Sequence, residues 1–481
     1  MTAEVGAARG GARLARLGLQ LALVSRIFGK LVGILLVVVL ARSADPDTIA
    51  IYGYLLGTAT LVLMLTDLGV GSVAAREVAA GRTSAGGALR GALPLQGLTV
   101  LIAVALLVVL TVGFGPRGVS ATAVVLASAF VVAGGITALW SEVLRAQGRV
   151  VLEGVLQMVA AVGLVAAGTA VVLNGGDVVL LLAVVLAKEV LLVVVMLLVV
   201  RPTREAVVPW RILVGQGLWV AVASTAIVVL WRQGTVVAGT GSTAALAVYV
   251  VASRYLDAGV TVAHTVGFGL LPGMSALATD PAALRRTARR YLVLAVALGG
   301  VVALVGVGLA PWLVTVPFGA QWDAAVTPVR WIAVTAAPIL VSFVLFPVMV
   351  ARGQVRVLAF AGLAALAVGV PVGLVLFAPA SDPSGSIIGT GAGAVVLAGV
   401  LLWGARDLVL RQGSAGDRDE LVEQPVRGQA DVEQGADPLP GGRAERRGAH
   451  GVGEQVGDRP GERALGQLAQ DDTRGSGAAG S

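Results

Sequence analysis

The chain alternates apolar runs of about twenty residues or more with short arginine-bearing loops, and this alternation leaves few folds open to it. A hydrocarbon core of ~30 Å is crossed by ~20 apolar residues wound as a helix. In lipid each peptide group must find its partner within the protein, which a helix does locally. Twelve runs qualify: residues 17–41, 49–70, 91–114, 119–140, 150–173, 178–200, 212–231, 243–277, 291–316, 324–350, 357–377 and 385–410. The eighth and tenth are long, which predicts tilt, a bend or extension beyond the bilayer. The first run is too long for a cleavable signal peptide and leads directly into a second span.

The loops set an orientation. With the amino terminus on the cytoplasmic side, the cytoplasmic segments hold eighteen arginines, among them Arg76, Arg145, Arg204, Arg285, Arg286, Arg289, Arg290 and Arg352. The opposite loops hold three, Arg42, Arg117 and Arg232. That asymmetry is the positive-inside pattern of a cell-membrane protein with both termini cytoplasmic. The same basic loops account for the net charge of +7, so nucleic acid is not the expected partner.

The basic stretch 201–211 divides the spans into two groups of six. The expected organisation is a helical bundle over 1–200, a linker over 201–211, a second bundle over 212–410 and a polar tail over 411–481. The tail is rich in Gly, Asp, Glu, Arg and Gln, has no apolar period, and is expected to remain disordered. The fold class is therefore all-α and integral to the membrane, with about 12 transmembrane helices in two six-helix bundles around a central cavity.

Catalytic motifs are scarce. No phosphate-binding GxxxxGK[ST] loop and no HExxH occurs, the histidines are only His264 and His450, and cysteine is absent. No cofactor or metal is expected, and the loops are too short to carry an enzyme's extramembrane domain. The run "GSIIGTGAG" spaces Gly385, Gly389 and Gly393 four apart. At the start of an apolar span this reads as a face for close helix packing rather than as a nucleotide loop.

The informative residues are ionisable groups inside spans, where a charge costs ~2.5–3.5 kcal/mol on insertion scales. Arg26 and Lys30 lie four apart in the first span and share a face. Arg254 lies deep in the eighth with Asp257 one turn on, and Arg330 lies in the tenth. Asp67 ends the second, and His264 follows Asp257 by seven residues. Structural alternatives stand beside each: an intrahelical pair for Arg254 and Asp257, snorkelling for Arg330 and Asp67, a satisfied buried ring for His264. Lys188 and Glu189 read as a pair. Cations at mid-membrane favour an anionic substrate, and the arginine fork matches phosphate. Pro272, Pro338, Pro347 and Pro371 supply bends within spans.

Several segments carry a resemblance: "LARSADPD" after the first span, "IYGY" opening the second, "DLGVGSVAARE" closing it, "LRAQGR" after the fourth, "GLLPGMSAL" ending the eighth, "PFGAQWDAAVTPVRWIAV" into the tenth and "ARGQ" after it. In order and spacing they resemble the polysaccharide-repeat-unit (Wzx-type) flippases of the multidrug/oligosaccharidyl-lipid/polysaccharide exporter superfamily. The resemblance implies two six-helix bundles that open alternately to either side. It implies a non-enzymatic flippase whose cargo is an oligosaccharide on polyprenyl pyrophosphate, working among membrane lipids and beside polysaccharide-synthesis enzymes. The site residues expected on this view are Arg26, Lys30, Arg254 and Arg330 for the substrate, and Asp67, Asp257 and His264 for ion coupling. A peptidoglycan-precursor flippase, a multidrug exporter and a membrane polymerase or ligase are the rival readings.

Overall fold

The computed structural model describes residues 28–29, 32–67, 69–203, 210–377 and 382–406. Arg26, Lys30 and the 411–481 tail lie outside them. Among the described residues every regular element is helical. In chain order these are α1 (Val32–Ser43), α2 (Pro46–Asp67), α3 (Val70–Ala79), α4 (Ala85–Phe114), α5 (Ala121–Ala146), α6 (Val150–Leu173) and α7 (Val178–Val199). There follow α8 (Trp210–Gly239), α9 (Thr243–Ala276), α10 (Pro281–Phe318), a 3₁₀ segment (Ala320–Ala325), α11 (Val326–Val334), α12 (Ala336–Ala351), α13 (Val355–Phe377) and α14 (Pro383–Gly404). Eleven of the described helical stretches are long and apolar enough to cross a membrane, and α1 is a shorter apolar helix.

The helices begin where the loops offer a side-chain cap. Ser84, Ser120, Asp177, Ser242 and Asp382 each accept from a backbone N–H of the first turn of α4, α5, α7, α9 and α14. Asp280 does so for α10, whose first residue is Pro281. At 38 residues α10 is about 57 Å long, nearly twice the hydrocarbon thickness, so it tilts or projects. The tenth apolar run is not one helix: α11 stops at Val334 and α12 starts at Ala336, because Pro338 has no N–H for the carbonyl four residues before it. The outer faces are apolar. Val112 is 81% exposed and Leu304 79%, a surface suited to lipid and not to water.

The two halves repeat one another at a spacing of about 200 residues. Tyr54 on α2 donates to the carbonyl of Leu110 on α4 (2.8 Å), and Tyr255 on α9 donates to that of Leu313 on α10. Gly148 ends α5 with φ +75° and Gly353 ends α12 with φ +69°. Around the first, Arg149 N donates to Leu144 O (3.0 Å); around the second, Gln354 N donates to Met349 O (2.9 Å). These are the same glycine-dependent helix ending. Asp177 and Asp382 then cap the last span of each half.

The glycines of "GSIIGTGAG" pack α14 against α13. A methyl group on Gly389 would strike the backbone of Gly373, and one on Gly393 would lie 2.8 Å from Ala365 O. Backbones this close are characteristic of small-residue interfaces in membranes.

Beside the membrane, Arg82 clamps the end of α3 through two bonds to Glu77, both 2.7 Å. The guanidinium holds the Glu77 carboxyl below the usual carboxylate range. A depressed folded-state pKa stabilises above the unfolded value and is lost as pH falls through the folded one. Protection of the amides across residues 77–82 against exchange is therefore expected to be full at neutral pH and to fall once the pH drops below the usual carboxylate range, and Glu77→Gln should remove that pH dependence.

Candidate functional site

A cavity of about 580 Å³ lies between the halves. From the first half it is lined by Gly29, Met64 of α2, Glu153 and Gln157 of α6 and Lys188 of α7. From the second it is lined by Trp231 and Arg232 of α8, Asp257, Thr261 and His264 of α9, and Phe343 and Phe346 of α12.

Its strongest electrostatic feature is a carboxylate held by two guanidinium groups. Arg232 NH1 lies 2.8 Å from Asp257 Oδ1 and 3.0 Å from Oδ2. Arg254 reaches Oδ2 at 3.6 Å from one turn back on α9, and its Nε donates to Val250 O at 3.2 Å. The three side chains are only 16–19% exposed. At that burial an unpaired charge is costly, which explains the pairing. Two cations on one anion leave a net positive charge, and Arg232, not Arg254, stands on the cavity wall.

Arg232 corrects the loop assignment made from sequence. The apolar run ends at Trp231, whereas α8 continues to Gly239 through a stretch diluted by Gly and Thr. The cue was present in those residues, but Gly and Thr carry little hydropathy and mask a continuing helix.

On the opposite wall the charges are paired. Lys188 is paired with its neighbour Glu189, and Arg145 bonds both Glu142 (2.6 Å) and Glu153 (3.4 Å). Glu153 is buried. Asp67 lies at the end of α2, where Oδ1 accepts from Gly71 N at 2.8 Å and caps the start of α3. The ring of His264 meets Phe343 edge-on, centroids 5.7 Å apart, at the cavity surface. Arg330 is exposed on α11 and does not line the cavity. Of the expected site residues, Asp257 and His264 come together on one wall with Arg254 beside them, and Asp67 and Arg330 stand elsewhere. Among the described residues no cluster of His, Asp and Glu has the number and arrangement to hold a metal ion.

At one end the halves close tightly. A methyl group on Gly57 of α2 would come within 2.8 Å of Thr235 on α8, and one on Gly53 would strike Val250 on α9. These contacts lie toward the far end from the arginine-rich loops.

The sequence profile of the polysaccharide biosynthesis protein family matches residues 18–278. No functionally curated protein matches the chain in sequence. Among solved structures, lipid II flippase MurJ in an inward closed conformation is similar with a TM-score of 0.62 at 11% identity, over 80% of this chain and 87% of that one. A multidrug resistance MATE family transporter of the MOP superfamily, inward-facing, gives 0.61 at 16% identity, over 79% and 94%. A Vibrio cholerae MATE transporter in its bent form gives 0.52 at 16% identity, over 82% and 97%.

Proposed function

Because this chain belongs to the polysaccharide biosynthesis protein family, we propose that it carries an oligosaccharide linked to polyprenyl pyrophosphate from the cytoplasmic to the outer leaflet of the cell membrane. The observation that carries this reading is the net positive charge of Arg232, Arg254 and Asp257 at a cavity between two halves, with Arg232 on its wall and Arg254 one turn from Asp257 off the wall. A diphosphate offers several anionic oxygens to a guanidinium fork, and among side chains this buried the attraction is screened less than in water. Arg26 and Lys30 of the first span are proposed to meet the same group. Asp257 and His264 are proposed for ion coupling, Asp67 with them.

The cycle is alternating access between the bundles 1–200 and 212–410, joined by 201–211, with both termini cytoplasmic. The glycan enters the cavity from the arginine-rich side while its lipid tail stays among membrane lipids. An inside-negative potential assists outward transfer of negative charge by ~2.3 kcal/mol per charge per 100 mV. Polysaccharide-synthesis enzymes are the expected neighbours.

One observation favours a second cargo class. Glu153 and Asp257 both line the cavity, and carboxylates there suit an organic cation. Liposomes separate the two. Accelerated leaflet exchange of a fluorescent polyprenyl-diphosphate glycan, without uptake of organic cations, is the expected result. Cation export without lipid exchange would establish the second reading. A parallel arm with a peptidoglycan lipid precursor tells which glycan the site accepts.

A further inference from the structure

Two of the segments that carry the family resemblance, "LARSADPD" and "PFGAQWDAAV", lie far apart in sequence and are given no role by the cavity. The fold brings them together at its closed end. Arg42, in the last turn of α1, donates from Nε to Pro317 O (2.6 Å) and from NH2 to Val316 O, both in the last turn of α10. In return, Gln321 Nε2 (2.8 Å) and Trp322 Nε1 (3.0 Å) donate to Ala41 O in the last turn of α1.

The arrangement uses a general property of helices. The last four carbonyls of a helix have no partner within it, and they carry the negative end of its dipole. Here two helix ends from opposite halves are each satisfied by donors from the other. Gly319, at φ +103°, supplies the reversal that returns Gln321 and Trp322 toward α1. Trp322 is only 4% exposed, so its N–H has replaced water with Ala41 O. Among the described residues, the corresponding contact on the other side of the repeat has no such bonds. There the end of α8 approaches the end of α4, and a methyl group on Gly239 would meet Phe114 O at 2.6 Å and strike the ring of Tyr54.

We infer that Arg42, Gln321 and Trp322 form a latch that holds this end of the cavity shut, and that its release is the step that opens the cavity away from the arginine-rich loops. The inference rests on the alternating-access reading above. Four hydrogen bonds to carbonyls with no other helical partner are strong enough to hold a state, and the two from Arg42, which are exposed, can be exchanged for water first. The two helices separate without disturbing either internal hydrogen-bond ladder.

The absence of cysteine allows a direct test. A single reporter, Thr261→Cys on the cavity wall, is labelled in oriented vesicles with a membrane-impermeant thiol reagent added to one side or the other. The parent is expected to react from the arginine-rich side and to be protected from the latch side. With Arg42→Ala and Gln321→Ala combined, latch-side labelling should rise at least about tenfold, with a matching fall from the other side. Trp322→Phe keeps the ring and removes one donor, and should give a smaller rise of the same sign. Asp323→Ala, exposed beside the latch, should change neither rate. An unchanged latch-side rate in both latch variants overturns the inference. Equal labelling of the parent from both sides overturns the alternating-access reading instead. In that case the distance between spin labels at Ser43→Cys and Asp323→Cys still reports the latch: a short, narrow distribution that Arg42→Ala broadens supports it, and one that Arg42→Ala leaves unchanged overturns it.

Discussion

Replacing Arg232 with glutamine is expected to lower leaflet exchange of a polyprenyl-diphosphate glycan about a hundredfold, and Arg254→Gln is expected to lower it less. Arg232 lines the cavity and makes both close contacts to Asp257, whereas Arg254 reaches it at 3.6 Å from off the wall. A hundredfold loss corresponds to about 2.8 kcal/mol, within the ~1.5–3 kcal/mol of a hydrogen bond to a charged group. The same change leaves Asp257 under-compensated, so thermal stability should fall as well. Asp257→Asn added to Arg232→Gln should recover stability, because it removes the carboxylate that Arg232 had compensated, but not exchange, because no guanidinium then stands at this point of the cavity wall. If Arg254→Gln proves the more damaging of the two, the assignment of the wall is wrong. If the double variant recovers exchange, Arg232 is not the group that binds the substrate.

The second large effect concerns folding. Gly389→Leu should abolish recovery of monodisperse protein from detergent, and Gly389→Ala should already lower its midpoint of unfolding by several degrees. A methyl group at this position would strike the Gly373 backbone and lie 2.6 Å from Gly369 O, atoms that cannot move without separating α13 from α14. Overpacking by one methyl group typically costs ~1–3 kcal/mol, and here the obstacle is main chain, so the effect belongs at the upper end. Gly399→Ala on the same helix, where a methyl group meets open space, should be neutral and serves as the control. Equal behaviour of the 389 and 399 variants would show that α13 and α14 are not in this close register.

The eleven described spans, together with α1, follow the apolar runs read from the sequence because partition into lipid is decided residue by residue, by side chains adjacent in the chain. The role of Gly385, Gly389 and Gly393 was legible for a similar reason: four-residue spacing aligns small residues on one helix face whatever they pack against. The pair of Arg254 and Asp257, one turn apart, was legible locally too. Arg232 was not, since its position inside the membrane depends on α8 continuing past a weakly apolar stretch, and its partner lies 25 residues on in another helix. The repeat between halves is not legible in the sequence because it is kept in geometry. Two tyrosine-to-carbonyl bonds, two left-handed glycines and two aspartate caps recur among residues that otherwise differ.

The amino-acid sequence by itself determined the solvent of this protein, the number and approximate limits of its crossings, and the sign of charge at its loops. All of these follow from local hydropathy and from where arginine falls. The tertiary structure alone decided which cation stands on the cavity wall and which stands off it. It alone set Arg42 on the carbonyl of Pro317, 275 positions later, a contact no local rule encodes. Both depend on how two halves of the chain meet, and that meeting is set by close backbone approach at glycines and by helix ends left in need of donors.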